Sequence, residues 1–448
     1  MPILKVFEHQ TIIKNQNLWF YIGKVKELKP LDEKYINALW KMYDENKRLF
    51  FTPSRGGIKF CEYVGVIKVL DLTIEILPKA DNNQNWDDEE EKNKWQSILI
   101  GMLRVCHSLD TPTISDAALK LKSNSILDLY IERFIKEVNY LINAGLIKKY
   151  RKEEANITAL KGKLLIQKHI IKNVVHKERF YVSRTTYDKD HKWHQILFKA
   201  IKILPLICNN QYLVSLCYQL QLNFPEVRDI KVDASLFDNL VYDRKSEPYK
   251  SAIQIAKLLL LNYRPDVSSG ASHSIAILFD MNKLWEEYIY RILQRENKGR
   301  FIIHNQRSTI FWNHGNTNKS LKPDIVLQKE IGRDKYDKPE YEYIVIDTKW
   351  KNLYDDVKNI SMDDLRQMFA YHYYFDAVRC YLLYPGEAKV RDKKLGIFNP
   401  KTFFKESLID NKRCGVIISQ AWVNGNESKS YLNKEIAENI FGEIDASM

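Results

Sequence analysis

The fold is decided by the stretches Lys322-Pro323-Asp324-Ile325-Val326-Leu327 and Tyr343-Ile344-Val345-Ile346-Asp347-Thr348-Lys349. Each carries a short apolar run that predicts a β-strand, and the second run is β-branched or aromatic, as a buried strand favours. Side chains two positions apart on a strand share a face, so Asp347 and Lys349 emerge together while Thr348 points away. If the two strands pair, Asp324 joins them.

This convergence of two carboxylates and an ammonium group has two interpretations. It predicts a cation site with a positioned base or charge stabiliser, which is the apparatus of metal-assisted phosphodiester hydrolysis. The alternative is a pair of solvated strand edges, because 28% of the chain is charged and such patterns also arise by chance. Other parts of the sequence are needed to decide between them.

The composition is that of a folded protein with several domains. The chain has 448 residues, of which 45% are hydrophobic, with 26 Tyr, 19 Phe and 9 Trp. This length predicts two or three domains, and the apolar content excludes a disordered chain. The formal net charge of +12 favours a polyanionic partner, which basic side chains bind through phosphate contacts.

Cysteine usage and the lack of long apolar segments predict a cytoplasmic protein. The six cysteines show neither CxxC pairs nor histidine partners at zinc-finger spacing, so we expect reduced, mostly buried thiols. The N-terminus lacks the apolar core of a signal peptide. No apolar run approaches the roughly 20 residues that cross a bilayer.

Changes in residue pattern predict a multidomain chain of the α+β and α/β classes. Residues 1–92 are predicted to form a β-rich domain, residues 93–265 a mainly helical region, and residues 266–448 an α/β domain with a mixed sheet. The acidic run 81–91 is the first candidate linker. The Ser-rich run 268–272 marks the second boundary.

The β-rich region contains a predicted hairpin. Its turn, Pro53-Ser54-Arg55-Gly56-Gly57, lies between the strand-like runs 49–52 and 58–60. The hairpin is either a simple surface connection or a projecting contact element. Residues 72–77 alternate apolar and polar positions, which predicts a half-buried strand, and residues 63–67 are its predicted partner.

The helical region contains a basic segment that is interleaved with aromatic residues. This segment is interpreted either as a surface that faces duplex DNA or as a solvated face of a helix and a strand. The basic residues considered for DNA contact are Lys148, Lys149, Arg151, Lys152, Lys161 and Lys163.

Predicted helices before and after these two strands add further polar residues to the candidate site. The helix before the strands carries Glu286 and Glu287, either of which offers a third carboxylate. A later helix, capped by Ser361, carries Gln367 and Tyr371 four positions apart and therefore on one face. Each also has a structural interpretation, since exposed Glu residues are common and Gln or Tyr on a helix often only packs.

Several well-known motifs are absent from the sequence. It contains no G-x-x-x-x-G-K-[S/T] loop and no G-x-G-x-x-G after a strand. It also lacks the G-x-S-x-G and H-E-x-x-H motifs. The chain is therefore not expected to bind and hydrolyse a nucleoside triphosphate by itself.

The order helix-Glu, strand-Pro-Asp, strand-Asp-x-Lys, helix-Gln-x-x-x-Tyr resembles the PD-(D/E)xK nuclease superfamily in the style of its RecB-like members. More specifically, the chain resembles the McrC family, the nuclease subunits of McrBC-type restriction systems, from about residue 60 to residue 385. The stretches that carry this resemblance are Tyr63-Val64-Gly65-Val66-Ile67, Ile74-Glu75-Ile76-Leu77-Pro78-Lys79, Leu160-Lys161-Gly162-Lys163-Leu164, Phe279-Asp280-Met281-Asn282-Lys283-Leu284-Trp285-Glu286, Ile346-Asp347-Thr348-Lys349 and Leu383-Tyr384-Pro385. At His194-Gln195 the family more often has Asn-Arg, so no role is carried onto that position.

The resemblance implies a role for each candidate residue. Asp324 and Asp347 would hold Mg²⁺ together with the backbone carbonyl of Thr348. Lys349 would position or activate the attacking water and stabilise the pentavalent phosphate. An outer carboxylate would come from Glu286, or from its neighbour at position 287.

The resemblance also implies a partner. In this family the N-terminal region docks on a hexameric AAA+ GTPase and stimulates it, and that partner binds GTP, translocates and reads the target. The hairpin at residues 51–60 is the candidate for entering the partner ring, with Arg55 as a contact. We therefore expect a Mg²⁺-dependent DNA endonuclease subunit that acts on modified or unmodified DNA. The alternatives are a non-catalytic DNA-binding activator of the motor and a RecB-like repair exonuclease.

Overall fold

The structure is a computed structural model that describes residues 2–22, 25–46, 50–80, 87–106, 125–265, 273–315, 317–353, 356–386, 396–398, 413–421, 433 and 435–447. Its strands are β1 (Ile3–Phe7), β2 (Thr11–Ile13), β3 (Asn17–Ile22), β4 (Val25–Pro30), β5 (Phe51–Ser54), β6 (Gly57–Phe60), β7 (Tyr63–Val69), β8 (Leu72–Leu77), β9 (Lys149–Ile157), β10 (Lys163–Leu164), β11 (Phe180–Asp188), β12 (Tyr263–Pro265), β13 (His273–Asp280), β14 (Ile302–Asn305), β15 (Thr309–His314), β16 (Thr317–Leu321), β17 (Ile325–Arg333), β18 (Pro339–Thr348), β19 (Ala377–Gly386), β20 (Gly396–Ile397) and β21 (Arg413–Gln420). Its helices are α1 (Glu33–Asn46), α2 (Glu89–Cys106), α3 (Ile126–Ala144), α4 (Ile166–Lys172), α5 (Lys192–Ile207), α6 (Gln211–Asn223), α7 (Ala234–Asp238), α8 (Lys250–Asn262), α9 (Met281–Glu296), α10 (Met362–Tyr374) and α11 (Ile436–Ser447).

The chain divides into two compact units that do not follow the three predicted domains. Unit 1 comprises Met1–Ile3, Val66–Thr73 and Ile114–Ile277, and unit 2 comprises Leu4–Gly65, Ile74–Thr113 and Leu278–Met448. Residues 81–86 of the predicted linker and the predicted boundary run 268–272 lie outside the described residues. The rest of that linker reaches into α2, which begins at Glu89.

Unit 1 is mainly helical. Helix α3 begins where the Ser125 side chain accepts a hydrogen bond from the Asp128 backbone N–H, and Gly145 follows its last residue. The apolar face of α3 is buried, as is that of α5, because helices α3, α5, α6 and α8 pack on one another. Strands β10, β11 and β9 form a separate antiparallel sheet in that order.

The N-terminal segments of unit 2 are rich in strands. The predicted hairpin is confirmed: β5 pairs with β6 around a turn at Arg55 and Gly56, and β2 pairs with the other side of β6. A side chain at Gly57 is excluded, because a Cβ there would lie 2.0 Å from the Ile12 carbonyl oxygen. This close approach explains the glycine at that position of the turn motif.

The prediction that residues 72–77 form a half-buried strand is wrong. They do form β8, but every residue of the strand is buried. Within unit 2, Glu75 accepts a hydrogen bond of 2.6 Å from Gln96 of α2. A helix rather than solvent therefore covers this polar side chain of β8. A buried carboxylate is tolerated only when it is paired in this way.

The C-terminal part of unit 2 contains a six-stranded mixed sheet in the order β14-β17-β18-β19-β21-β20. Strand β17 is antiparallel to β18, whereas β19 is parallel to both β18 and β21. Helix α10 makes the crossover from β18 to β19, as parallel neighbours require. Its buried residues Met368 and Tyr371 pack against Val326, Val345 and Leu382 of the sheet.

All six cysteines lie in described segments and are free; five are buried and Cys61 is partly buried. This agrees with the expectation of reduced, mostly buried thiols. Over the described part of the chain, no helix is both long and apolar enough to cross a membrane.

Candidate active site

The two deciding stretches form neighbouring strands, as predicted. Ile325 of β17 pairs with Ile346 of β18. Asp324 directly precedes Ile325, and Asp347 directly follows Ile346. Lys349 comes directly after β18, and its backbone N–H donates to the Leu383 carbonyl of β19 at 2.9 Å. The sheet register therefore places the three charged residues at one end of adjacent strands.

Helix α10 adds two of the predicted polar residues to this end of the sheet. The Lys349 ammonium forms an ion pair with Asp347 and donates to Gln367 Oε1 at 3.2 Å. Gln367 Nε2 donates to the Tyr371 hydroxyl at 2.7 Å and lies 3.5 Å from Asp347 Oδ1. The spacing of four residues on the helix produces this alignment, because such side chains lie on one face.

Asp324 reaches this site through a contact that the sequence did not predict. Its Oδ2 accepts hydrogen bonds from the Thr348 backbone N–H at 2.7 Å and from the Thr348 hydroxyl at 2.9 Å. The side chain of Thr348, which was expected to point away, therefore contacts Asp324. These two bonds hold the Asp324 carboxylate beside the end of β18.

Burial and mutual repulsion dominate the electrostatics of the two carboxylates. Desolvation raises the pKa of Asp347, which is 1% exposed, and the charge of Asp324 raises it further. Desolvation also raises the pKa of Asp324, against the opposing effect of the Thr348 hydrogen bonds. Burial disfavours the charge of Lys349, but Asp347 and Asp324 outweigh it and raise the pKa of the ammonium.

Of the two candidate glutamates on α9, Glu286 is the one that faces this cluster. Its Oε1 accepts a hydrogen bond of 2.5 Å from Gln306, whose backbone N–H donates to the Asp324 carbonyl at 2.9 Å. Burial raises the pKa of Glu286, and so does the charge of Asp324. Glu287 instead accepts from Arg291 at 2.6 Å, one helical turn away.

A further carboxylate of the site, Asp364, lies in the first turn of α10 and was not among the predicted site residues. Asp364 accepts a hydrogen bond of 2.9 Å from the Tyr384 hydroxyl of β19, and its charge acts on Asp347 and Lys349. The signal was present in the spacing, because Asp364 and Gln367 are three apart and share a helix face.

Trp350, the residue after Lys349, is held by contacts with residues that are distant in the sequence. Trp350 Nε1 donates to Glu8 Oε1 at 2.8 Å, and its ring packs edge-on against Trp95 and Trp285. No local pattern signals this pairing of residues that lie 342 positions apart.

Comparison with known proteins identifies the family. Residues 58–385, more than half of the chain, match the family described as "McrBC 5-methylcytosine restriction system component". The chain belongs to the McrBC family. No curated protein matches it.

Two solved structures from Thermococcus gammatolerans resemble this McrBC family member. One is a refined half-complex of McrB AAA+ hexamers with bound McrC: the match has a TM-score of 0.63 and 20% identity, and it covers 99% of this chain and 100% of that chain. The other is the McrBC complex of the same organism, with a TM-score of 0.45, 22% identity and coverage of 65% and 87%. The first match shows that the chain shares its fold along its whole length.

The Mg²⁺ implied by the resemblance to McrBC nucleases has suitable donors here. The Asp324 carboxylate is bonded to the Thr348 backbone N–H, and its charge acts on the neighbouring Asp347 carboxylate. In the segments that the structure describes, no three His, Cys, Asp or Glu side chains are grouped to hold a metal ion. Two carboxylates nevertheless fit Mg²⁺, which commonly binds through one or two carboxylates and completes its octahedron with water and phosphate oxygens.

The basic residues considered for DNA contact lie in unit 1, and several of them are paired with carboxylates. Arg151 of β9 forms ion pairs with Asp188, Glu153 and Asp190. Lys149 is half-buried, with its ammonium 5.1 Å from the Trp193 ring. The exposed members of the set are Lys148, Lys152, Lys161 and Lys163.

Arg55 and His194 illustrate two different environments. Arg55 is exposed at the tip of the β5–β6 hairpin. His194 is fully buried in unit 1, where its Nδ1 donates to the Lys189 carbonyl at 2.6 Å and its Nε2 accepts from the Tyr249 hydroxyl at 3.0 Å. Burial lowers the pKa of His194 to about 3, so this position holds a neutral histidine whose contacts are structural.

Proposed function

We propose that the chain is a Mg²⁺-dependent DNA endonuclease subunit of a McrBC-like restriction complex. The observation that carries this proposal is the convergence of Asp347, Lys349 and Gln367, with Asp324 hydrogen-bonded beside them. An ammonium next to buried carboxylates at one sheet edge is the arrangement that metal-assisted phosphodiester hydrolysis uses. Membership of a restriction-system family supports DNA as the substrate.

Each residue has a role in this proposal. Asp324, Asp347 and the Thr348 carbonyl hold Mg²⁺, which when bound activates water and neutralises charge on the phosphate. Lys349 orients the attacking water and stabilises the developing negative charge. Gln367 and Tyr371 fix the position of Lys349, and Glu286 acts as an outer carboxylate through Gln306.

The proposed partner is a McrB-like AAA+ GTPase hexamer. The chain shares its fold with a McrC that is bound to McrB hexamers, and its sequence has no P-loop. In this proposal the partner binds GTP and selects the DNA in the cytoplasm, while this chain stimulates the GTPase and cuts. The β5–β6 hairpin contacts the partner through Arg55, and the exposed lysines of unit 1 contact duplex DNA.

The proposal is tested by plasmid cleavage with the complex of this chain and its partner GTPase. We expect internal cuts in circular DNA, methylated or unmethylated, that require GTP and Mg²⁺ and stop with EDTA. GTPase stimulation and DNA binding without cleavage would instead identify a non-catalytic activator. Digestion restricted to linear DNA ends would identify a RecB-like exonuclease.

A further inference from the structure

Beside the proposed active site, the structure contains a hairpin that none of the roles above uses. Strands β15 and β16 pair antiparallel, with Trp312 opposite Lys319 and His314 opposite Thr317. We refer to them as the site hairpin. Most of the site hairpin is exposed to solvent, and its Trp312 side chain is 49% exposed. Ile310 and Phe311 beside it are also exposed, at 55% and 47%, and a contiguous group of exposed apolar side chains is typical of an interaction surface.

Both ends of the site hairpin are attached to the proposed active site. Before β15, the Gln306 backbone N–H donates to the Asp324 carbonyl, and the Gln306 side-chain amide donates to the Glu286 carboxylate. After β16, which ends at Leu321, the chain reaches Asp324 three residues later. Phe311, at an irregularity in the strand register, contacts the Tyr374 ring of α10 with centroids 5.1 Å apart.

One face of the site hairpin carries an aromatic and basic group. Trp312 and Lys319 are cross-strand partners, and His314, two residues along the strand, stacks on the Trp312 ring at 5.6 Å with the planes 12° apart. Side chains at such positions point to the same side of the sheet. Stacking surfaces combined with cationic groups are how proteins hold nucleic-acid bases and phosphates.

The charge of the site hairpin and of the residues that flank it also favours a polyanion. From Gln306 to Pro323 the sequence contains Arg307, Lys319 and Lys322 but no Asp or Glu, although Asp and Glu number 57 in the whole chain. The β9–β11 sheet of unit 1 differs, since its Arg151 and Arg184 are paired with carboxylates. A DNA strand with an unpaired base next to the proposed metal site is therefore the partner that fits.

We propose that the site hairpin binds DNA beside the scissile phosphate, with Trp312 stacking on a base and Lys319 contacting the backbone. This proposal rests on the proposed nuclease function, because it takes DNA as the substrate of the adjacent site. It adds to that function a DNA-binding element that fixes the strand at the point of cleavage.

The test is fluorescence anisotropy of a labelled duplex that carries an unpaired overhang, with the full-length chain in Ca²⁺, which supplies a divalent ion with oxygen-ligand chemistry. We expect Trp312→Ala to weaken binding roughly 5- to 100-fold, the range of a lost base–aromatic stack. Trp312→Phe should retain most of the affinity. Lys319→Ala should reduce the slope of log affinity against log salt by about 1.

The matched control is Tyr336→Ala, since Tyr336 is an aromatic residue at the β17–β18 turn that is 71% exposed. It should bind DNA like the wild type. Wild-type affinity and salt slope for both Trp312→Ala and Lys319→Ala would overturn the proposal. So would loss of GTPase stimulation with unchanged DNA affinity, which would assign the surface to a protein partner. If Asp347→Asn still cuts DNA while Trp312→Ala loses affinity, the proposed catalytic site fails and the site hairpin stands.

Discussion

Gln367 connects the groups of the proposed active site. Its amide oxygen accepts from Lys349, and its amide nitrogen donates to Tyr371 and lies near Asp347. The side chain is therefore oriented from both ends, which in turn restricts where the Lys349 ammonium lies. A residue of this kind affects the rate by holding a neighbour in place rather than by reacting itself.

We expect Gln367→Ala to lower the cleavage rate of the complex roughly 10- to 100-fold, the usual cost of losing a residue that orients a metal-site group. The measurement is the single-turnover rate in Mg²⁺ at saturating DNA. Arg366→Ala is the matched control, because Arg366 is an exposed neighbour that pairs only with Asp363 in the described residues. Equal rates for Gln367→Ala and Arg366→Ala would contradict the assignment.

The two glutamates of α9 give a second prediction. Glu286→Gln is expected to raise the Mg²⁺ concentration needed for half-maximal cleavage, because Glu286 lies within the field of Asp324. Glu287→Gln is expected to leave it unchanged, because Glu287 is held by Arg291. A Mg²⁺ titration of both variants separates the assignments, and the reverse result would show that Glu287 is the outer carboxylate.

At the scale of elements, the local patterns predicted most of the site. Apolar runs predicted β17 and β18, Ser361 was correctly identified as a helix cap, and helical spacing predicted the shared face of Gln367 and Tyr371. These features depend on neighbours in sequence, which period and capping rules describe.

The contacts between elements were not predictable in the same way. The Thr348–Asp324 hydrogen bonds depend on how two strands end, and the burial of Glu75 depends on helix α2 covering it. The pairing of the site hairpin was not predicted, because residues 309–321 carry no periodic apolar face. The discontinuous make-up of unit 2 was not predictable from local patterns, because distant segments of the chain combine in it.

The contact between Glu8, which directly follows β1, and Trp350 leads to a prediction about pH. Burial raises the pKa of Glu8 to about 7 from an ordinary value of 4.5. The folded protein thus keeps a proton that the unfolded chain releases, and the free energy of unfolding falls as the pH rises from about 4.5 to about 7.

Glu8→Gln keeps an oxygen that accepts from Trp350 and Lys79 but carries no charge at any pH. Its free energy of unfolding, relative to the wild type, should therefore increase over that interval by on the order of 3 kcal/mol and then level off. Urea unfolding between pH 4.5 and 8 measures this difference. A difference that does not change with pH would contradict the assignment.

At the scale of the whole molecule, the net charge of +12 is not equally available to DNA. Arg151 is surrounded by carboxylates, whereas Lys152, its neighbour on β9, is exposed. A paired cation releases few counterions when DNA binds, whereas an exposed one adds to the salt dependence.

We therefore expect Arg151→Ala to lower the free energy of unfolding by about 1 kcal/mol, as for a partly exposed ion-pair network, with little effect on the salt slope of DNA binding. Lys152→Ala should have the opposite profile, with unchanged stability and a slope smaller by about 1. Thermal unfolding and binding at several salt concentrations check both variants. A reduced slope for Arg151→Ala alone would identify it as the DNA contact.

The central claim is that this chain supplies the residues that cut DNA. The most direct test is plasmid cleavage by the complex of the partner GTPase with an Asp347→Ala chain, with Asp347→Asn as the isosteric companion. We predict that both variants stimulate the GTPase like the wild type and leave the plasmid intact in GTP and Mg²⁺. Cleavage at the wild-type rate by either variant would contradict the account, because Asp347 would then take no part in the reaction.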